Sequence, residues 1–234
     1  MPKGFFITGT DTGVGKTIMA GAVIKAVNYM GLKAGAMKPI ESGCGREGDV
    51  LIPFDGMFLK QMAHMDDPIT LVTPCCLESP LAPISAAEAD MTEISLYEIR
   101  RSFDKLSEKY EVMIVEGVGG LMVPIKRDYY VVGLARDLGL PLIVVARPGL
   151  GTINHIMLTL SCARKEGLTV AGIILNYSAP PEQSPAEQTN PKLLAQICPA
   201  PVIGIFPYLK NMGEEAVERT AIKNIDLELL RKCL

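Results

Sequence analysis

Residues 3–27 read KGFFITGTDTGVGKTIMAGAVIKAV, and no other stretch restricts the fold as strongly. An apolar run at 3–8 (KGFFIT) predicts a buried strand. A glycine-bearing loop, GTDTGVGKT, follows at 9–17. Residues 17–30 are good helix formers, and Gly31 is a natural C-terminal stop. Strand, glycine loop and helix in this order form the unit that opens α/β domains with a phosphate-binding loop, G-x-x-x-x-G-K-[ST]. The match fails at one position, because Thr10 stands where the first glycine is expected and Gly9 comes one residue early. The chemistry is nevertheless complete. Glycines admit backbone N–H groups to an anion, the helix offers its positive end, and Lys16 supplies a point charge. Thr17 places a hydroxyl where Mg²⁺ bridges phosphate oxygens.

The rest of the chain continues the rhythm. A second strand is predicted at 33–38, and further strands at 111–115, 140–146, 170–175 and 202–206, continuous apolar runs of the kind buried on both faces. Helices are predicted at 96–109, 130–138, 151–166 and 191–197, with the polar, proline-rich segment 178–190 as a surface loop. This alternation implies an α/β fold, a mainly parallel sheet with helices on both faces, in one P-loop NTPase-like domain over 1–234. Hydrophobic residues at 48% suffice for one large core.

A formal charge of −3 gives no basis for nucleic acid or an anionic membrane as partner. The N-terminus lacks the flanks of a signal peptide. No apolar run approaches the ~18 residues of a membrane span. Six cysteines without a C-x-x-C pair, beside two histidines, have no metal-finger spacing and read as reduced thiols in a cytoplasmic protein.

In such folds ligands meet the carboxyl ends of the strands, so the polar residues found there are the candidates. Lys38, in KPIESG, ends the second strand and leans toward the loop. A second cation matters because phosphoryl transfer to an anion brings negative charges together. Glu116, in VEGVGG, ends another strand and suits a Mg²⁺ ligand. Residues 147–155 (RPGLGTINH) lead into a helix whose N-terminus is placed to receive a carboxylate, and His155 reads as structural.

Taken together, GTDTGVGKT, KPIESG, VEGVGG and GLGTINH resemble, in this order and context, the dethiobiotin synthetase family of biotin biosynthesis. The resemblance covers nearly the whole chain, and that family shares the longer glycine spacing. It implies an ATP-dependent ligase joining CO₂ to 7,8-diaminononanoate (diaminopelargonic acid), with Mg²⁺ as cofactor, acting as a homodimer. It implies ATP contacts at Gly13, Val14, Gly15, Lys16, Thr17 and Ile18, at Asp55, and at Glu116, Gly117, Val118 and Gly119. Asn176, Pro207, Tyr208 and Leu209 would line the base pocket. Thr17, Asp55 and Glu116 would hold Mg²⁺. Lys38 and Lys16 would be catalytic, Lys38 on the carbamate and the migrating phosphoryl group. Thr12, Ser42 and Gly119 would touch the substrate, with Leu150 and Asn154 reaching it across a dimer interface.

Two points depart from the family pattern. Asp49 and Asp55 both qualify as the metal carboxylate, and Asp55 is preferred for the helical run that follows it. A tyrosine expected to hold the substrate tail is missing between Glu182 and Leu194. Partitioning ATPases of the ParA/MinD kind carry an extra lysine early in the loop, where Thr10 and Asp11 stand here. A cobyrinate amidotransferase-like synthetase requires a glutaminase domain that 234 residues do not accommodate, and no N-K-x-D motif marks a GTPase.

Overall fold

The computed structural model of the chain describes residues 3–234. Its main sheet has six strands, all parallel. From edge to edge these are Val202–Phe206, Val170–Asn176, Leu142–Ala146, β1 (Gly4–Gly9), Val112–Glu116 and β2 (Ala34–Met37). The central strands are apolar on both faces, and alternate residues of one strand enter different cores. Ile143 and Val145 join the large cluster beneath α1 (Lys16–Tyr29), whereas Val144 and Ala146 join a second cluster with Ile156, Leu160 and Leu194. A period of two with both phases apolar requires helices on both faces, as predicted. The large cluster runs from Phe5 to Leu230.

Several expectations need correction. The segment 178–190 is not loop throughout, because a helix spans Pro185–Ile197 and starts six residues before the predicted 191. Ser184 accepts a hydrogen bond from the Glu187 N–H (3.3 Å) and Pro185 takes the first turn. The S-P-A-E pattern is a capping signal that the density of prolines obscured, and Pro191 lies inside the helix. Tyr130 belongs to a short strand, Tyr129–Tyr130, so the predicted 130–138 helix starts at Val131. Three two-stranded pairings went unpredicted, among them β3 (Ile40–Ser42) with Cys75–Leu77, as did the helices Glu214–Asn224 and Leu227–Lys232. Among the described residues no helix is long and apolar enough to cross a membrane.

Candidate active site

β1 ends at Gly9, and a Cβ there would sit 2.8 Å from the Asp11 carbonyl oxygen and 2.9 Å from Val14 Cγ2. The early glycine is therefore the point over which the loop folds back. Gly15 holds φ at 88°, and a Cβ on it would collide with the Asn176 amide. Asn176 ends the Val170–Asn176 strand, the next but one from β1, and donates Nδ2 to the Val14 carbonyl at 2.8 Å, which secures the loop to the sheet. Lys16 Nζ donates to the Asp11 carbonyl at 3.0 Å. Burial lowers its pKa below the ordinary lysine value, with Glu116 pulling the other way. Gly15→Ala adds left-handed strain and displaces the Asn176 bond, together about 2–3 kcal/mol. The expected result is roughly 30–100-fold weaker nucleotide binding by calorimetry. Unchanged affinity would mean that the loop does not need this conformation.

Register places the second group of charges. Met37 lies beside Val115, so Lys38 and Glu116 are the next residues out on adjacent strands. Lys38 Nζ donates to Glu116 Oε1 at 2.6 Å and to the Gly117 carbonyl at 3.2 Å, and lies 3.2 Å from Asp55 Oδ2. Lys38 and Glu116 are 4% and 1% exposed, so neither charge is relieved by water. Burial opposes the Lys38 charge most strongly, yet Glu116 and Asp55 outweigh it and hold its pKa above the ordinary value. Burial pushes the Glu116 carboxyl upward, with Lys38 pulling it down. Thr17 Oγ1 donates to Glu116 Oε1 at 3.0 Å, while Glu116 Oε2 is buried with no partner.

An orphaned carboxylate oxygen beside a threonine hydroxyl and Asp55 is a hard-oxygen donor set. Among the described residues no three His, Cys, Asp or Glu side chains form a metal cage. Mg²⁺ uses one or two carboxylates and completes its octahedron with water and phosphate oxygens, so these residues suit it.

These groups converge on a cavity of about 490 Å³. Thr12, Gly13, Gly15, Lys16, Thr17 and Ile18 form one wall. Lys38, Ser42, Asp55, Glu116, Val118 and Gly119 also line the cavity, as do Asn176, which bonds the loop, and Pro207, Tyr208 and Leu209. Val14 is buried under the loop, and Gly117 contributes its carbonyl to Lys38 rather than a surface to the cavity. Asp49 is exposed in the turn between the Gly45–Glu47 and Val50–Ile52 strands, away from the cavity that Asp55 lines. Leu150 and Asn154 are not brought to this cavity. Leu150 is 95% exposed on a second one of about 430 Å³, and Asn154 is exposed on the Thr152–Lys165 helix. His155, read as structural, is exposed at that second cavity.

Sequence reasoning missed Glu41, Tyr177, Ser178, Phe206 and Met212, all of which line the main cavity. Glu41 lies inside the KPIESG stretch, between Lys38 and Ser42, and Tyr177 was findable by reading one residue past Asn176 at the strand end. Among the described residues no cysteine or histidine lines the cavity.

A family model described as an AAA domain matches residues 3–216. The chain is 46% identical over 237 residues to the ATP-dependent dethiobiotin synthetase BioD of Thermodesulfovibrio yellowstonii, covering 98% of this chain and 99% of that protein. It is 38% identical over 229 residues to the protein of the same name from Bacillus subtilis strain 168, covering 97% of each. Among solved structures, the Pyrococcus furiosus cell division ATPase MinD aligns over 100% of both chains with a TM-score of 0.56 at 14% identity. The Aquifex aeolicus MinD cell division protein aligns over 94% of this chain and 95% of that one, with a TM-score of 0.55 at 14% identity. These two likenesses show a shared P-loop α/β fold. The whole-chain identity to the BioD proteins goes further, and the chain belongs to the ATP-dependent dethiobiotin synthetase family.

Proposed function

We propose that this chain, as a single domain, converts 7,8-diaminononanoate, CO₂ and ATP to dethiobiotin, ADP and phosphate. The observation that carries this reading is the grouping of Lys16 and Lys38 with Glu116 and Asp55 around one cavity that, among the described residues, no cysteine or histidine lines. Such a site works by positioning and charge neutralisation rather than through a covalent nucleophile.

One amine of the substrate takes up CO₂ and releases a proton, giving a carbamate that Lys38 is placed to stabilise. A carbamate oxygen attacks the terminal phosphorus of ATP, ADP leaves, and a carbamic–phosphoric anhydride forms. Lys16 and the backbone N–H groups of the loop hold the triphosphate, and Lys38 offsets the charge of the migrating group. The neighbouring amine then attacks the carbonyl carbon. Phosphate leaves with the C–O bond, a proton is lost, and the cyclic urea is closed. Thr17, Asp55 and Glu116 would hold Mg²⁺, which supplies charge neutralisation at the phosphate oxygens. Ser42, Thr12 and Gly119 are placed to touch the diamine.

The exposure of Leu150 and Asn154 away from the main cavity supports a homodimer in which the partner subunit receives the substrate tail. A cytoplasmic setting belongs to the same proposal, on six cysteines without a C-x-x-C pair.

The test is phosphate release from Mg-ATP with labelled bicarbonate, with and without the diamine. Release that requires the diamine and matches label incorporation is expected. ATP hydrolysis indifferent to the diamine would overturn the reading in favour of a switch ATPase.

A further inference from the structure

We propose that Glu41 is a positioning residue for this reaction: its buried carboxylate clamps the first turn of α2 (Phe54–Met62) and so holds Asp55 against Lys38. The proposal deepens the reading above and rests on it.

α2 starts without a cap of its own. Pro53 occupies the capping position, has no side-chain acceptor, and leaves the first N–H groups of the helix unclaimed. Glu41, twelve residues earlier in β3, fills that gap. Its Oε1 accepts from the Asp55 N–H and its Oε2 from the Gly56 N–H, each at 2.9 Å. The carboxylate is 5% exposed and sits at the positive end of the helix, where a negative charge is favoured.

The surroundings are built to that fit. β3 is held by parallel pairing, with Glu41 beside Cys76. A Cβ on Gly56 would collide with Thr73 Oγ1, so glycine lets the first turn of α2 pack against Thr73 while its N–H meets Glu41. The short segment from Lys38 to Glu41 therefore reaches Asp55 twice, at its side chain through Lys38 Nζ and at its backbone through Glu41. An ordinary cap stabilises a helix wherever that helix lies. This one comes from a different element, lines the main cavity, and fixes the backbone of a residue in the donor set for Mg²⁺.

The experiment separates positioning from stability. Binding of ADP is measured by calorimetry as a function of Mg²⁺ concentration for wild type, Glu41→Ala and Glu41→Gln, with melting temperature recorded alongside. Ser95→Ala is the control, because Ser95 caps the Leu96–Ser107 helix through the Glu98 N–H at 3.2 Å, far along the chain from the site. In Glu41→Ala the half-saturating Mg²⁺ concentration should rise roughly tenfold, the scale of one lost cap. ADP binding in chelator should be unchanged. Glu41→Gln, which keeps the shape and one acceptor, should fall between wild type and Glu41→Ala, and it carries the test if the alanine variant does not fold. Ser95→Ala should lower the melting temperature without moving the Mg²⁺ dependence.

A Mg²⁺ half-saturation within twofold of wild type in both Glu41 variants would overturn the proposal, as would an equal shift in Ser95→Ala. Wild type showing no Mg²⁺-dependent ADP binding would overturn the underlying reading, and this proposal with it.

Discussion

In a Lys38→Ala variant, diamine-dependent phosphate release is expected to fall roughly 10²–10³-fold, the usual consequence of removing one charge-stabilising donor, while ADP still binds. The separation follows from position. Lys38 stands outside the glycine loop, on the next strand but one, so Lys16, the loop backbone and the Asn176 tether remain in place. What is lost is the ammonium that, among the described residues, meets Glu116, the Gly117 carbonyl and Asp55 together. That group keeps its proton at neutral pH, because its two carboxylate neighbours outweigh the cost of burial and raise its pKa.

The same change leaves Glu116 buried beside Asp55 without its closest cation. Breaking a buried pair from one side costs about 3–5 kcal/mol of stability. Turnover must therefore be compared at a temperature where the variant is folded, with ADP affinity as the check on the site. Near-normal turnover would remove Lys38 from the mechanism.

Glu116→Gln is expected to act on a different quantity. Its Oε1 already accepts from Lys38 and Thr17, and its Oε2 is the buried oxygen left without a partner. An amide in its place presents a neutral group where a cation would be held. The Mg²⁺ concentration needed for half-maximal ADP binding should rise by at least the 10–100-fold that loss of an outer-shell partner costs a metal site. Binding in chelator should change little, since the loop is untouched. Stability should fall less than in Lys38→Ala, because Asp55 still faces the ammonium at 3.2 Å and no unpaired charge is buried. A Mg²⁺ dependence identical to wild type would reassign this carboxylate.

Some residues were misread although their signals were local. The Ser184-Pro185 start of the Pro185–Ile197 helix is a cap written in four consecutive residues. Tyr177 follows directly on a strand that had been recognised, and it lines both cavities. Other features have no local signal. Nothing near Glu41 indicates that its carboxylate will meet the N–H groups of Asp55 and Gly56, because that contact depends on where α2 returns to the sheet. The same holds for the exposure of Leu150 and Asn154, which depends on which face of the sheet the Thr152–Lys165 helix covers.

The sequence by itself determined the glycine loop, the order of buried strands and helices, and the polar residues at the strand ends. Each of these is a property of neighbours along the chain: an apolar run, a glycine at a forced turn, a lysine or glutamate following a strand. Only the tertiary structure decided which charges share a cavity. Lys38 meets Glu116 because Met37 pairs with Val115, and Thr17 reaches Glu116 because β1 lies between the strands ending at Glu116 and Ala146. Parallel pairing between segments so far apart in the chain is set by the burial of the whole sheet, and it brings the strand ends level at one edge. That alignment turns separate polar residues into one site.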